Sequence, residues 1–125
     1  MGQAEAILLV DDEPHLVDIV SRQLVGANYR VIKAYNGKEA LNLYEQHREQ
    51  ISLVILDLLM PEMDGRRCLD ALQDIDPNVR VVIATGHTTP GMVGELEQAG
   101  AKGFVSKPFE TSQLLEEIRK IIDEK

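Results

Sequence analysis

Leu53-Val54-Ile55-Leu56-Asp57 lies near the middle of a chain of 125 residues: four apolar residues ended by an acid. A short, continuous apolar run reads as a strand covered on both faces, the habit of parallel sheets. Three other short runs also end on a polar residue of a type that handles phosphate or metal. Ile7-Leu8-Leu9-Val10 ends on Asp11-Asp12, Val81-Val82-Ile83-Ala84 ends on Thr85, and Phe104-Val105-Ser106 ends on Lys107-Pro108. In an open parallel α/β sheet the carboxyl ends of the strands share one edge, and ligands bind there. Three acids, a hydroxyl and an ammonium, scattered along the sequence, would meet in that crevice.

Helical patterns fill the spaces between these runs. Pro14 suits a first helical turn, and Leu16, Val17, Val20 and Leu24 follow at helical spacing until Gly26. Residues 29–34 read as a second strand, less apolar and carrying Arg30 and Lys33, which suits an edge position. Asn36-Gly37 is a turn signal, and Asn36 also suits a helix N-cap. Residues 39–47 then carry Ala40, Leu41 and Tyr44 on one face. A loop after Asp57 leads to Asp64, a second cap, and to a helix through Cys68, Leu69 and Leu72. Asp76-Pro77-Asn78 marks a turn before a strand over 79–85. Thr88, Thr89, Pro90 and Gly91 delay the next helix, and Gly94 inside it costs about 1 kcal/mol relative to Ala, so this helix is expected to be short or mobile. Gly100 and Gly103 frame the turn into the last strand, and residues 111–123 form the final helix, with Leu114, Leu115, Ile118, Ile121 and Ile122 on its apolar face. Strands spaced by helices of this length pair in parallel through right-handed crossovers. The pattern predicts an α/β fold, (βα)5, with a doubly wound five-stranded parallel sheet.

The bulk numbers bound the function. The length fits one domain over residues 1–125, with a core large enough to need no disulfide. The single cysteine, Cys68, rules out an internal disulfide and suits a reducing compartment. No apolar run approaches the roughly 20 residues of a membrane span, and the N-terminus lacks the basic start of a signal peptide. A cytoplasmic location is expected. The net charge of −8 argues against nucleic acid as a direct partner and suits a divalent cation or a protein with a basic patch.

The chemistry of the strand ends points to phosphate and metal. Moving a phosphoryl group requires in-line positioning and neutralisation of its oxygens. Three crowded carboxylates need a cation, and an all-oxygen site suits Mg²⁺. Lys107 offers a point charge for a phosphoryl oxygen, Thr85 a hydroxyl donor, and the small Gly86 room for a backbone N–H to approach.

Val10-Asp11-Asp12-Glu13-Pro14, Asp57-Leu58-Leu59-Met60-Pro61-Glu62-Met63-Asp64-Gly65, Ala84-Thr85-Gly86 and Lys107-Pro108-Phe109 occur in that order, each ending its own strand. In this set the chain resembles the receiver domain of two-component response regulators, over residues 7–122. The resemblance implies the flavodoxin-like strand order 2-1-3-4-5. It implies that Asp57 accepts a phosphoryl group from a phosphohistidine on a histidine kinase or phosphotransfer domain. It implies that Asp12, Asp57 and the backbone carbonyl of Leu59 bind Mg²⁺, with Mn²⁺ an acceptable substitute, and that Asp11 acts on the ion through water. Thr85 and Lys107 would grip the phosphoryl oxygens, with a cis Lys107–Pro108 bond directing the lysine inward. Thr85 and Phe104 would then switch and reshape the face built from the fourth helix, fifth strand and fifth helix, where a downstream protein or effector domain docks.

Two positions depart from many relatives. Leu59, two after the nucleophile, is apolar and cannot orient an attacking water, so a longer-lived phosphoryl group is expected. His87, two after Thr85, ionises near neutrality, so a decay rate that depends on pH between about 5.5 and 7.5 is expected. The C-terminal helix resembles receivers attached to hybrid sensor kinases. Glu13 reads as a first-turn helix acid, Cys68 as a semi-buried apolar residue, and His15 and His47 as surface residues. A competing reading is a Mg²⁺-dependent phosphohydrolase of the haloacid-dehalogenase type. Its second Asp would fall at Leu59, which argues against turnover. A flavodoxin-like cofactor binder would need a phosphate-cradling loop where Asp11-Asp12-Glu13 stands, and three acids there repel phosphate.

Overall fold

A computed structural model describes residues 5–58, 65–86, 89–106 and 110–123, the Thr111 side chain excepted. Strands and helices alternate: β1 (Ala6–Val10), α1 (Pro14–Gly26), β2 (Arg30–Ala34), α2 (Gly37–His47), β3 (Ile51–Asp57), α3 (Gly65–Ile75), β4 (Val81–Thr85), α4 (Pro90–Gln98), β5 (Ala101–Ser106) and α5 (Thr111–Asp123). The strands form one sheet in the order β2-β1-β3-β4-β5, and all pairs are parallel. The predicted fold and strand order are those observed.

Side chains alternate across the central strands with a period of two. Leu8, Val10, Val54, Leu56, Val81 and Ile83 face one core cluster, which Tyr44 of α2, Leu69 of α3 and Leu96 of α4 complete. Ile7, Leu9, Leu53, Ile55 and Val82 face the other, which Leu24 of α1 and Ile118 of α5 complete. Two helices therefore cover one face and three the other. That coverage explains why β1, β3 and β4 read as unbroken apolar runs. β2 is an edge strand, with Arg30 and Lys33 both exposed.

Capping fixes where several helices begin. Asn36 Oδ1 accepts from Glu39 N at 2.8 Å, and Glu39 Oε1 accepts in return from Tyr35 N at 2.6 Å, which starts α2 at Gly37 rather than at Glu39. Thr89 caps α4 by accepting from Met92 N at 3.2 Å. α4 is the shortest helix, with 9 residues, as its glycines suggested.

The structure corrects several local expectations. α1 ends at Gly26 as expected, but the glycine does not make the turn. The chain reverses at Asn28, the one non-glycine described residue with positive φ, at 80°, and Tyr29 N reaches back to Leu24 O at 3.0 Å. Gly103 lies inside β5, paired with Val82, and does not frame a turn. A Cβ on Gly103 would lie 2.7 Å from Ile121 Cδ1, so α5 packs directly on the strand there. β3 begins at Ile51, two residues earlier than the apolar run, because the polar Ser52 hides its start. β4 begins at Val81, because Asp76 O holds Val79 N at 3.0 Å in the preceding turn. Cys68 is fully buried rather than semi-buried. The expected Asp64 cap lies outside the described residues.

Candidate functional site

The sheet register assembles the site. Val10 pairs with Leu56, so Asp11 and Asp57 leave neighbouring strands at the same level. Asp57 pairs with Ala84, one residue before Thr85, and Thr85 pairs with Ser106 at the end of β5. The ladder extends one step past the strands: Asp11 N donates to Ala34 O and Leu58 N to Ala84 O, each at 3.1 Å. The acids and the hydroxyl thus stand on backbone that hydrogen bonds hold in place.

Asp11, Asp57 and Thr85 are buried, at 5%, 6% and 3% exposure, and Asp12 is half-buried. Buried polar groups carry a desolvation cost that only specific partners offset. Asp11 Oδ1 accepts from Glu13 N at 3.0 Å. Glu13 itself is exposed, precedes the first helical residue in extended backbone (φ −102°, ψ 105°) and makes no cap hydrogen bond. The expected first-turn role of Glu13 is therefore not the observed one. Its backbone, not its carboxylate, serves the site.

Asp11, Asp12 and Asp57 each offer a carboxylate oxygen, and these oxygens lie within 4.8 Å of one another. Like charges at this spacing, two of the groups buried, repel strongly unless a cation stands between them. The donor set is all oxygen. Oxygens this close together can share one hard cation, so these residues fit Mg²⁺.

Gly86 is exposed, and a Cβ there would meet nothing within 4 Å. Phe104 is half-buried against the α2–α4 side of the core, level with Ile83. A groove of about 450 Å³ runs beside it between β5 and α5, lined among others by Ser106, Glu116 and Lys120. Leu59, His87, Lys107 and Pro108 lie outside the described residues. Sequence reasoning gave no role to Gly65. Its backbone packs on the end of β3: Gly65 N donates to Leu58 O at 2.8 Å, and a Cβ on Gly65 would lie 2.6 Å from Leu58 Cα. No side chain fits there.

Among the described residues, no helix is long and apolar enough to cross a membrane. The family model for the response regulator receiver domain matches residues 7–119. The chain is 36% identical over 121 residues to the chemotaxis protein CheY of Bacillus subtilis, covering 96% of this chain and 99% of that protein. It is 31% identical over 118 residues to sporulation initiation phosphotransferase F of the same organism, covering 94% of each. A solved CheX–CheY–BeF₃–Mg²⁺ complex from Borrelia burgdorferi contains a chain that superposes with a TM-score of 0.94 at 29% identity, over 98% of this chain and 92% of that one. None of these likenesses supports the haloacid-dehalogenase alternative. Fold, acidic pocket and sequence agree: the chain belongs to the response regulator receiver domain family, the phospho-accepting signalling modules of two-component systems.

Proposed function

We propose that Asp57 is the phospho-acceptor of this receiver. The observation that carries the reading is the meeting of Asp11, Asp12 and Asp57 at the carboxyl edge of the sheet, beside the buried hydroxyl of Thr85. An oxygen of Asp57 attacks the phosphorus of a phosphohistidine on a histidine kinase or phosphotransfer domain. The N–P bond breaks, its electron pair returns to the imidazole, and an acyl phosphate forms on Asp57.

Asp11, Asp12, Asp57 and the carbonyl of Leu59 would hold Mg²⁺, or Mn²⁺ in its place. The ion, when bound, supplies charge neutralisation for the phosphoryl oxygens. The Thr85 hydroxyl, the Gly86 N–H and the Lys107 ammonium donate to those oxygens, with Pro108 setting the direction of Lys107. His87 lies close enough in sequence to Thr85 to tune hydrolysis.

Thr85 then moves toward the new phosphate and Phe104 turns inward, which reshapes the face of α4, β5 and α5 for a downstream protein or effector domain. The domain works as a cytoplasmic switch over residues 1–125 rather than as an enzyme that turns over a separate substrate, without direct contact to nucleic acid or insertion into a membrane.

The test is incubation of the protein with Mg²⁺ and acetyl phosphate, followed by intact and peptide mass measurement. Wild type gains one phosphoryl group on the peptide containing Asp57, and Asp57→Asn gains none. An Asp57→Asn protein that takes up phosphate at the wild-type rate overturns the assignment.

A further inference from the structure

The opposite edge of the sheet carries a second polar cavity. It has a volume of about 200 Å³ and lies at the amino-terminal ends of β3 and β4, lined by Tyr44, Arg48, Ser52, Asp76, Asn78 and Arg80 among others. β3 has 7 residues, so the length of a strand, roughly 20 Å, separates this cavity from Asp57. It is no part of the phosphorylation site.

Its charges are organised. Tyr44 OH donates to Asp76 Oδ2 at 2.9 Å, and Asn78 N donates to Asp76 Oδ1 at 3.0 Å, so both oxygens of the single lining carboxylate are taken. Arg48 is held by donating from Nη1 to Ile75 O at 2.9 Å, which leaves the rest of its guanidinium fork available. Arg80 is half-buried, and its guanidinium takes part in none of the hydrogen bonds or ion pairs of the described residues. Arg48 and Arg80 line the same cavity, together with Tyr44 and Asp76. The lining thus carries two arginines and one carboxylate whose oxygens are already engaged, in a chain whose net charge is −8.

We propose that this cavity is a second binding site, independent of phosphorylation, for a small oxyanion: inorganic phosphate or a compact carboxylate. Arg80 and Arg48 supply charge and paired N–H donors, the pattern that suits planar or tetrahedral oxyanions. The Ser52 hydroxyl and the Asn78 amide add neutral donors at the rim.

The test is a titration of the ¹⁵N-labelled full chain, without Mg²⁺, with sodium phosphate and in parallel with sodium malonate, followed by amide shifts. Sodium chloride at matched ionic strength is the reference. Saturable shifts at Ser52, Asn78 and Arg80 are expected with one or both anions, and which anion saturates identifies the source. Arg80→Gln should raise the half-saturation concentration at least tenfold, and Arg80→Lys, which keeps the charge but loses the fork, by less. Equal shifts with chloride, shifts confined to the Asp57 edge, or unchanged binding in a folded Arg80→Gln protein would overturn the proposal.

Discussion

The carbonyl oxygen of Asp57 lies 2.7 Å from the point where a Cβ on Gly65 would sit. The obstacle is backbone on both sides, so it cannot rotate away as a side chain would. The first residue of α3 therefore seats directly on the residues that end β3. Gly65→Ala must push the end of β3 and the start of α3 apart. We expect a loss of about 1–3 kcal/mol in stability, the range of strain at a buried, overpacked position. We also expect a weaker Mg²⁺ affinity, because the displaced end of β3 carries Asp57. Urea denaturation and Mg²⁺ titration of the folded variant check both. A variant as stable as wild type would show that the contact is not tight.

Leu59 carries a prediction about lifetime. With Asp57 proposed as the acceptor, a leucine two residues later has no group to orient a water, and it is expected to shield the acyl phosphate. Replacement by Asn should speed dephosphorylation, by a factor in the range of 10 to 100, on the order of 1–3 kcal/mol in the barrier. The decay of phospho-Asp57, followed by mass after removal of acetyl phosphate, measures it. A rate in Leu59→Asn equal to or slower than wild type rejects the shielding role.

The buried cysteine makes a chemical prediction. Burial pushes the Cys68 thiol up from an ordinary value of 9.0 to about 12. At pH 8 this leaves roughly a thousandfold less thiolate than a free cysteine would have, and thiolate is the reacting form. A disulfide reagent should label the native chain only as fast as it opens, and labelling should rise to the free-thiol rate in denaturant. The same shift sets a direction for stability. The folded state favours the neutral thiol, so this contribution is complete below pH 9.0 and is lost as pH rises from there toward about 12. The urea midpoint of wild type should fall faster above pH 9.0 than that of Cys68→Ala, and parallel curves would contradict the assignment.

The site was largely legible because each of its acids ends a strand. Asp11, Asp12, Asp57 and Thr85 follow apolar runs, and a parallel sheet delivers such ends to one edge whatever the loops do. The glycines were less legible. Gly26 and Gly103 look like punctuation, yet Asn28 takes the left-handed turn because its short polar side chain tolerates that backbone. Gly103 is fixed by the close approach of Ile121 from a helix far along the chain. Gly65 reads as one residue of a motif, and its constraint appears only when α3 is laid against Leu58. The Arg48–Arg80 cavity was equally hidden, since its charges come from the C-cap of α2, the turn at Asp76 and the residue before β4, and no local pattern joins them. Sequence periodicity reports which face a residue occupies. It does not report how closely two elements approach.

The fourth helix should be the first to open. α4 has only Leu96 fully buried, whereas α1 buries Val17, Val20, Ser21 and Leu24, and α3 buries Gly65, Cys68, Leu69 and Leu72. Gly91 and Gly94 add backbone entropy to its unfolded form, and its N-terminus rests on one cap from Thr89. Local opening free energy follows buried contact and helix propensity, so the amides of α4 should exchange fastest among the five helices. Thr89→Ala should speed them further, by a factor of about 5, or about 1 kcal/mol. Because α4 borders the strand that carries Phe104, Mg²⁺ with beryllofluoride should slow exchange in α4 more than in α1 or α3. Hydrogen exchange read by mass measures all three effects. Uniform protection across the helices before ligand is added would mean that the packing of Leu96 alone suffices to hold the helix, and that α4 is no softer than the rest of the fold.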